Sequence, residues 1–265
     1  MKTNIKICFL FILAGFANND CRDNIDYVYE NDKAVKANAK VVFEDDFNTA
    51  GIPDKTKWEL CPRMEGDSWG NYFSMSYDQA YVKDGKLILK AEKVNGEYKS
   101  GGVWSKGLFD FTYGKVEVRA RIKTGDGGIP AIWLLASTGQ PLDGEIDIVE
   151  QYDNKAEVHH TVHSYYTNKL GNKTDPVRTL TVPCKVNEFN VYAVEWTSEK
   201  VSFSINGMAT LTYPNLHLAK EIVMKQWPFK RTFFIILNYT LSMYGVINDA
   251  ELPVYMEVDW VRVTQ

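Results

Sequence analysis

The stretch GEIDIVEQ, at positions 144–151, places three carboxylates among β-branched apolar residues. In a β-strand, side chains two positions apart point to the same face, so Glu145 and Asp147 share one face. A regular strand would point Glu150 to the opposite face, into the core, where an unpaired carboxylate is costly. One extra residue at about Ile148–Val149, a β-bulge, returns Glu150 to the face of the other two acids. We therefore predict a bulged strand with three acids on one side.

Two glutamates that lean towards each other from such a strand suit one reaction in particular. A retaining glycosidase holds its nucleophile and its acid/base carboxyls about 5–5.5 Å apart. Repulsion between close carboxylates separates their pKa values, so that one glutamate stays ionised while the other keeps a proton. The spacing favours Glu145 as nucleophile, Glu150 as acid/base and Asp147 as the group that tunes Glu145. A solvated acidic strand and a calcium site are the alternatives on spacing alone.

Three further segments accompany the acidic stretch in order along the chain. They are GGVWSKG at 101–107, YGKVEVRA at 113–120 and PAIWL at 130–134. Together with EIDIVE at 145–150 they resemble the signature of glycoside hydrolase family 16 in its longer, bulged form, and the resemblance runs from about Val41 to Val263. It implies an all-β jelly-roll sandwich of two antiparallel sheets with an open concave substrate cleft. It also implies endo-acting, retaining hydrolysis of a β-linked polysaccharide, with the three acids in the roles named above.

The composition fits a single large domain. A chain of 265 residues with 45% hydrophobic residues can form one large core, and all-β domains of this size are often single. The net charge is −4 and no basic tract occurs, which argues against a nucleic-acid partner. No C-x-x-C pattern suggests zinc, and the family resemblance requires no cofactor. We expect a monomer whose partner is a polysaccharide or glycan.

The N-terminal segment is typical of an export signal. Lys2 and Lys6 precede an apolar run, residues 7–16, that is too short to span a bilayer, and Ala17 offers a small residue for cleavage. Cys21 raises an alternative, lipid attachment as in a bacterial lipoprotein, although the Asn and Asp residues before it are a poor cleavage context. No later segment is apolar enough to cross a membrane. The protein is therefore expected to be exported, either to the periplasm or cell surface or as a secreted enzyme.

The chain accordingly divides into three predicted parts. These are a signal peptide at 1–17, a flexible N-terminal tether at 18–40 and the catalytic jelly-roll domain at 41–265. Outside the signal the cysteines are Cys21, Cys61 and Cys184. An odd number of cysteines permits at most one disulfide, and none is required.

A long irregular loop, residues 58–77, is a candidate rim for the cleft. Proline and glycine interrupt it, and it holds several aromatic and polar side chains. Such a loop is equally typical of a binding rim and of a packed surface loop. As a rim, it would let Arg63 donate to hydroxyls or a carboxylate and Trp69 stack on a sugar ring. The full set of predicted substrate-binding residues is Arg63, Trp69, Asn71, Trp104, Trp133, His163, Tyr165 and Trp227.

The segment 157–166 is predicted to be the strand that pairs with the acidic one. His159 and His163 would share one face, and Tyr165 would continue it. Histidines on one face raise a zinc hypothesis, but no carboxylate or cysteine spacing completes such a site. We instead expect His163 to face the cleft near Glu150, where it contacts sugar or steers a proton. The family's Thr-Val-His element implies the same placement.

The family resemblance also implies a structural calcium site on the convex face. Its oxygen ligands would be Asp259 of the last strand, Glu44 and the backbone near Gly85. The alternative is that Asp259 only caps a pair of strands.

Departures from the family pattern leave the substrate open. Ile129 and Gln140 stand where many members have tryptophan, and residues 241–248 lack the glycine-rich run common in β-1,3-glucanases. Two substrate classes remain, laminarin-type β-1,3-glucan and β-galactosidic O-glycan or galactan. A non-catalytic carbohydrate-binding jelly roll and a transglycosylase are the alternative functions. The intact acid trio argues against a pure binding protein.

Overall fold

Runs of β-branched and aromatic residues, separated by turn residues, form strands along most of the chain. The computed structural model describes residues 39–66, 68–219, 225–241 and 245–265. The predicted signal peptide, Cys21 and nearly all of the predicted tether lie outside the described residues. The described strands are β1 Val41–Asp45, β2 Glu59–Leu60, β3 Ala80–Lys83, β4 Lys86–Val94, β5 Glu97–Ser100, β6 Gly102–Trp104, β7 Gly114–Lys123, β8 Gly128–Ala136, β9 Glu145–Glu150, β10 Glu157–His163, β11 Thr179–Pro183, β12 Asn190–Trp196, β13 Lys200–Ile205, β14 Met208–Pro214, β15 Phe233–Leu241 and β16 Val254–Thr264.

These strands pair antiparallel in two sheets. Sheet A has the order β14-β13-β12-β7-β16-β4-β3, with β1 beside β16 and β5 beside β4. Sheet B has the order β11-β10-β9-β8-β15-β6-β2. Neighbours in each sheet are often distant in sequence, which is the pattern of crossed connections found in antiparallel sandwiches. The predicted all-β sandwich of two antiparallel sheets is confirmed.

The core lies between the inner faces of the two sheets. In β7, alternate residues point inwards, as their spacing predicts, and all of them are buried; they are Val116, Val118, Ala120 and Ile122. Burying a Val or Ile side chain stabilises the fold by about 1.5–3 kcal/mol. The intervening charged residues face outwards and form ion pairs, among them Arg121 with Glu257. The predicted half-buried strand is confirmed.

Strands β8 and β15 are buried on both faces, as the continuous apolar run at 131–135 predicts. One face of this strand pair belongs to the core between the sheets. The other face forms a second apolar cluster on the far side of sheet B, composed of Cys61, Phe73, Ala131, Trp133, Leu135, Phe234 and Ile236. Four members of this second cluster, Ala131, Trp133, Leu135 and Phe234, form the apolar floor of the cleft described below.

Two-residue turns connect the predicted hairpins. Asn206 and Gly207, between β13 and β14, have φ values of +51° and +79°, the left-handed conformation that a type I′ turn requires. Asp84 and Gly85 connect β3 and β4 in the same way. The Asp-Gly and Asn-Gly hairpins are therefore confirmed.

The strand predicted at 157–166 is shorter than expected. β10 ends at His163, and Ser164 caps a short helix, α1, at Tyr165–Asn168. The side chain of Ser164 accepts from the backbone of Thr167, whose hydroxyl accepts from the backbone of Ser164. This capping box is a local signal that competes with strand extension.

The cysteines within the described residues, Cys61 and Cys184, are both buried and free. No helix among the described residues has the length and apolar character needed to span a membrane.

Candidate active site

Strand β9 has a bulge in the middle of the acidic stretch. On one side Ile132 pairs with Val149 and Trp133 pairs with Asp147, so that Ile148 has no partner. The ladder to β10 shifts at the same place. The bulge predicted at about Ile148–Val149 is therefore confirmed. It returns Glu150 to the face of the other two acids, as the extra residue requires.

The three acids open into one cleft on the outer face of sheet B, with a volume of about 790 Å³. Glu145 and Glu150 are partly exposed to it, whereas Asp147 is only 2% exposed. Of the predicted substrate-binding residues, the cleft brings together Trp69, Trp104, Trp133 and His163. Strands β8, β9 and β10, which run side by side, supply most of its floor.

His163 lies beside Asp147 and Glu145. Its Nε2 is 3.1 Å from Asp147 Oδ2 and 3.7 Å from Glu145 Oε1. The prediction placed His163 near Glu150, but the antiparallel register pairs it with Glu145, at the other end of β9. It faces the cleft as expected, and its charge reaches Glu150 only as a longer-range effect.

Asn168 and Arg178 orient the His163 ring. Arg178 Nη1 donates to Asn168 Oδ1 at 2.9 Å and lies 3.2 Å from His163 Nδ1, while Asn168 Nδ2 lies 3.0 Å from the same nitrogen. Asn168 Oδ1 also lies 3.1 Å from Nδ1 and could only accept, but a guanidinium only donates, so we assign His163 Nδ1 as the acceptor of Arg178. In its neutral form the ring therefore carries its proton on Nε2, the nitrogen that faces the acids.

Burial raises the pKa of all three acids. For Glu145 the neighbouring charge of Asp147 adds to the effect of burial, and for Asp147 the charge of Glu150 does. Glu145 and Asp147 are also hydrogen-bonded to each other, so this pair holds a shared proton. The pKa of Glu150 rises less, because a hydrogen bond from Tyr152 lowers this pKa and so opposes the effect of burial. The carboxyls of this site therefore keep their protons at pH values where exposed carboxyls are already ionised.

A chain of hydrogen bonds fixes the aromatic floor. Trp133 Nε1 donates to Asn238 Oδ1 at 2.6 Å, and Asn238 Nδ2 donates to Thr240 Oγ1 at 2.8 Å. The Thr240 hydroxyl donates in turn to the backbone oxygen of Trp69 at 2.7 Å. The rings of Trp69 and Trp133 meet edge to face with centroids 4.8 Å apart. These contacts hold both rings against the cleft.

Two predicted substrate-binding residues lie in other places because the local packing differs from the pattern. Trp227 is fully buried in the core between the sheets, where its ring contacts Phe229 and lies parallel to Tyr213. Tyr165 begins helix α1 and is 38% exposed, away from the cleft lining. Its predicted position depended on β10 continuing past Ser164. Neither side chain lines the cleft in this structure.

The loop at 58–77 contributes to the cleft with only part of its length. Met64 and Trp69 line it, but Arg63 points to a separate groove beside β4 and β5. Asn71 is half-buried and lines neither space, and its backbone N–H donates to Ser68. Arg63 and Asn71 are therefore not cleft residues in this structure.

The two carboxylates of the predicted calcium site each face an arginine. Asp259 pairs with Arg119 across the strands of sheet A, and Glu44 lies 3.9 Å from Arg262. Gly85 belongs to the β3–β4 turn. Carboxylates already paired with arginine are poorly arranged for Ca²⁺, which needs several free oxygen ligands. The geometry therefore does not support calcium here.

One cluster within the described ranges does have metal-ligand spacing. Glu145, Asp147 and His163 each offer an atom within 4.8 Å of the others. These residues are two of the three acids of the cleft and the histidine beside them, so the same atoms are also the candidates for acid–base chemistry. The carboxylate partner that the sequence did not reveal for His163 comes from β9.

Sequence reasoning missed several residues of the cleft. Asn168 is the last residue of the unpredicted helix α1, and Arg178 precedes β11, so neither belongs to a periodic strand pattern. Lys106 also lines the cleft, with its ammonium 5.1 Å from the centre of the Trp104 ring. The sequence signal available for Asn238 is its position: it is the amide in a strand that is otherwise nearly all apolar.

Comparison with known proteins agrees with this geometry. The family model described as Glycosyl hydrolases family 16 matches residues 69–262. The chain belongs to glycoside hydrolase family 16. The family explains the jelly-roll sandwich and the acidic bulged strand together, and its members need no cofactor.

Two curated relatives are similar over most of this chain. A beta-glucanase from Rhodothermus marinus is 35% identical over 246 residues, which are 84% of this chain and 84% of the relative. A keratan-sulfate endo-1,4-beta-galactosidase from Sphingobacterium multivorum is 34% identical over 237 residues. That match covers 84% of this chain but spans only 54% of the galactosidase. The two relatives act on different sugars.

The similar solved structures likewise include proteins that are described as acting on different sugars. SCLam, a non-specific endo-beta-1,3(4)-glucanase of the family, has a TM-score of 0.78 and 31% identity, covering 86% of this chain and 92% of its own. A structure from work on endo-acting O-glycanases, with which prominent members of the human gut microbiota initiate mucin breakdown, has a TM-score of 0.74. Its identity is 37%, over 84% of this chain and 98% of its own. This protein is thus a glycoside hydrolase with endo-acting relatives.

Proposed function

We propose that this protein is an exported, retaining endo-β-glycosidase that hydrolyses internal β-linkages of a polysaccharide or glycan by double displacement. Membership of family 16 and the endo-acting relatives support this reaction class. The observation that carries the proposal is the bulge of β9, because it turns Glu150 into the cleft that holds Glu145 and Asp147. A retaining mechanism needs two carboxyls that reach the same glycosidic bond, and both glutamates open into this one cleft.

In the first step, Glu145 attacks the anomeric carbon and Glu150 gives its proton to the departing glycosidic oxygen. The bond from carbon to that oxygen breaks as the ester bond to Glu145 forms. Burial raises the pKa of Glu150, which keeps the group protonated at a pH where an exposed glutamate is already ionised. The leaving half of the substrate departs as a neutral alcohol.

In the second step, Glu150, now a carboxylate, takes a proton from a water molecule. The oxygen of that water attacks the anomeric carbon and displaces Glu145. The sugar is released with its original β configuration, and both acids return to their starting protonation states.

Asp147 controls the charge of Glu145. The two acids share a proton, and their hydrogen bond raises the pKa of Glu145 and lowers that of Asp147. Glu145 attacks in the state in which the shared proton lies on Asp147. His163 Nε2–H, 3.7 Å from Glu145, adds a positive edge on the same side. The nucleophile is thereby charged without both neighbouring acids being charged.

Two substrate classes are supported by the relatives. Laminarin-type β-1,3-glucan is supported by the similarity to a beta-glucanase and to a laminarinase, both from Rhodothermus marinus. β-Galactosidic O-glycan or galactan is supported by the keratan-sulfate galactosidase and by the O-glycanase structure, which is 37% identical. We propose that one of these is the physiological substrate and that the chain acts as a monomer.

Export is proposed from the sequence. Residues 1–17 have the composition of a signal peptide, and we propose that residues 18–40 serve as a tether to a catalytic domain that begins at Val41. The mass of the mature protein distinguishes cleavage after Ala17 from lipid attachment at Cys21.

The test replaces the two glutamates separately. Glu145→Gln and Glu150→Gln should each lower the release of reducing ends at least about 1000-fold, because each removes a group that reacts. The substrate panel contains laminarin, mixed-linkage glucan, agarose, porphyran and mucin glycans. Nuclear magnetic resonance of the first product should show the β anomer before mutarotation.

The matched control is Glu117→Gln, which removes an acid that pairs with Lys115 on sheet A, away from the cleft. It should leave activity unchanged. Full activity in either cleft variant would refute the assigned roles. Binding without chain shortening by the wild-type protein would indicate a carbohydrate-binding module instead, and products longer than the substrate would indicate a transglycosylase.

A further inference from the structure

His160 occupies an unusual position behind the catalytic strand. Its neighbours in β10, His159 and Thr161, line the cleft, so His160 points the other way, into the core between the sheets. It is fully buried, and its ring stacks on Phe203 of sheet A with centroids 5.0 Å apart. An imidazole in an apolar core is costly unless its polar atoms are hydrogen-bonded. Its location therefore needs an explanation.

The hydrogen-bond partner of His160 is the bulge itself. Its Nδ1 lies 2.6 Å from the backbone oxygen of Ile148. Ile148 is the extra residue of β9, which has no Cα partner in the ladder to β8 or in the ladder to β10. A bulge of this kind leaves backbone groups without their usual ladder partners, and a buried carbonyl oxygen without a partner is unfavourable. His160 supplies the missing donor.

The direction of this hydrogen bond follows from its chemistry. A carbonyl oxygen only accepts, so the proton lies on His160 Nδ1. Burial lowers the pKa of His160 to about 4, so the ring is neutral in the neutral pH range and has one proton to give. Its Nε2 is buried and has no hydrogen-bond partner among the described residues. The ring is thus held in one tautomer by one contact.

Glu150 depends on the bulge for its direction. Without the extra residue, Glu150 would point into the core, because side chains alternate along a regular strand. We propose that His160 is a positioning residue whose Nδ1–H group clamps the bulged peptide at Ile148 and so holds Glu150 at its working place opposite the leaving group. The proposal rests on the role of Glu150 given above and adds the device that keeps it there.

A structural role and a positioning role predict different effects on catalysis. If His160 only fills the core, its replacement lowers the stability of the fold and the rates on all substrates alike. If it positions Glu150, its replacement lowers most the rates that need a proton on the leaving group. An activated aryl β-glycoside, such as a dinitrophenyl glycoside, leaves without that proton and should be much less affected.

Three variants separate these outcomes. His160→Phe keeps an aromatic ring against Phe203 but removes the donor. His160→Asn places an amide N–H close to the position of Nδ1 and keeps the donor. Phe203→Leu weakens the packing of the ring and leaves the hydrogen bond in place, so it is the matched control for a loosened core.

The experiment measures kcat/KM on the polysaccharide and on the activated aryl glycoside for each folded variant. We expect His160→Phe to lose about 10- to 100-fold on the polysaccharide, the cost of a small displacement of a catalytic group, and less than about 3-fold on the aryl glycoside. His160→Asn should recover most of the loss. Phe203→Leu should lower the melting temperature and change the two rates equally.

Equal losses on both substrates in His160→Phe, or an Asn variant as poor as the Phe variant, would overturn the clamp. If His160→Phe does not fold, the comparison of His160→Asn with His160→Gln decides, since Gln cannot place its donor at Nδ1. A wild-type protein without activity would instead refute the proposed function. Nitrogen-15 spectra of the wild type test the clamp without activity: a persistent Nδ1–H signal is expected between pH 5 and 8, and an Nε2–H tautomer would refute it.

Discussion

The two halves of the cleft, on either side of β9, are built by different means. The aromatic half lies towards β15 and β6 and consists of Trp69, Trp104, Trp133, Phe234 and Asn238. The polar half lies towards β10 and β11 and consists of Lys155, His159, His163, Asn168 and Arg178. In the first half, three strands and the loop at 58–77 carry side chains that ring packing fixes, whereas in the second half strand β10, a short helix and loop residues supply the polar groups. We expect the first half to hold sugar rings and the second to control protons.

Of the two halves, the aromatic half is expected to give the larger effect. Trp133→Ala should lower kcat/KM on the polysaccharide about 100-fold, equivalent to ~2.7 kcal/mol, because it removes the ring that packs on Trp69 and donates to Asn238. The loss should appear in KM as well as kcat, since a stacking surface acts on bound substrate before the reaction. Steady-state kinetics on the preferred polysaccharide measure it.

Trp133→Phe is the matched variant, because it keeps an apolar ring and removes only the indole donor. It should retain much more activity than Trp133→Ala. An alanine variant with unchanged KM and kcat would show that the aromatic half does not contact the substrate, and the division between the halves would then fail.

The difference between the halves also explains what the sequence reveals. Trp133 and Phe234 belong to strands whose continuous apolar character predicts burial on both faces, and Trp104 belongs to a family-like segment. The sequence shows the three acids directly. It also predicts the bulge, because a regular strand would turn Glu150 into the core. Period-two alternation is a strong signal, so residues on regular strands of sheet B are predicted well.

The polar half was predicted less well for a physical reason. Its key contacts join Arg178 and Asn168 to His163 across 15 and 5 positions of sequence, through a helix that a capping box starts at Ser164. No periodic pattern links such residues, and their meeting depends on how a loop folds over a sheet. The alternation that assigns His159 and His163 to the cleft face of β10 does not predict what His160 contacts on the core face.

A smaller effect is expected from the polar half, on the pH profile rather than on binding. Arg178 and His163 both lower the pKa of Glu150, against the effect of burial. Arg178→Gln removes the positive charge of the guanidinium, so the pKa of Glu150 should rise. Glu150 would then stay protonated to higher pH, and the alkaline limb of kcat/KM should move to higher pH. We also expect kcat to fall about 10-fold, because His163 loses the donor that fixes its tautomer.

Arg178→Lys separates charge from geometry. Lysine keeps the positive charge but cannot donate to Asn168 and His163 from one planar group. It should retain the wild-type position of the alkaline limb while kcat stays low. A pH profile that shifts equally in both variants would contradict the assignment, since the charge is the same as in the wild type in only one of them.

The smallest expected effect is on the stability of the fold, and it comes from Asp147 on β9, the strand between the two halves. Burial, with the charge of Glu150 added, raises the pKa of Asp147 well above its usual range. A carboxyl whose pKa is raised in the folded state stabilises the fold fully at a pH below its unfolded pKa. That contribution is lost as the pH rises through the folded pKa. The acid trio should therefore make the wild-type protein less stable in mildly alkaline solution than in mildly acidic solution.

Asp147→Asn removes one titrating group from the trio and keeps its size. At pH 8 it should raise the free energy of unfolding by about 1 kcal/mol or more, the order seen when a buried ionic group is replaced. At pH 4.5 the gain should be smaller or absent, because wild-type Asp147 is then protonated. Denaturant unfolding at the two pH values measures both. Asp259→Asn, which loses its ion pair with Arg119 on sheet A, should gain nothing at pH 8. If Asp147→Asn is no more stable than the wild type at pH 8, then His163 and Arg178 already compensate the charge of Asp147 in full, and the polar half is a charge-balancing surface as well as a proton-controlling one.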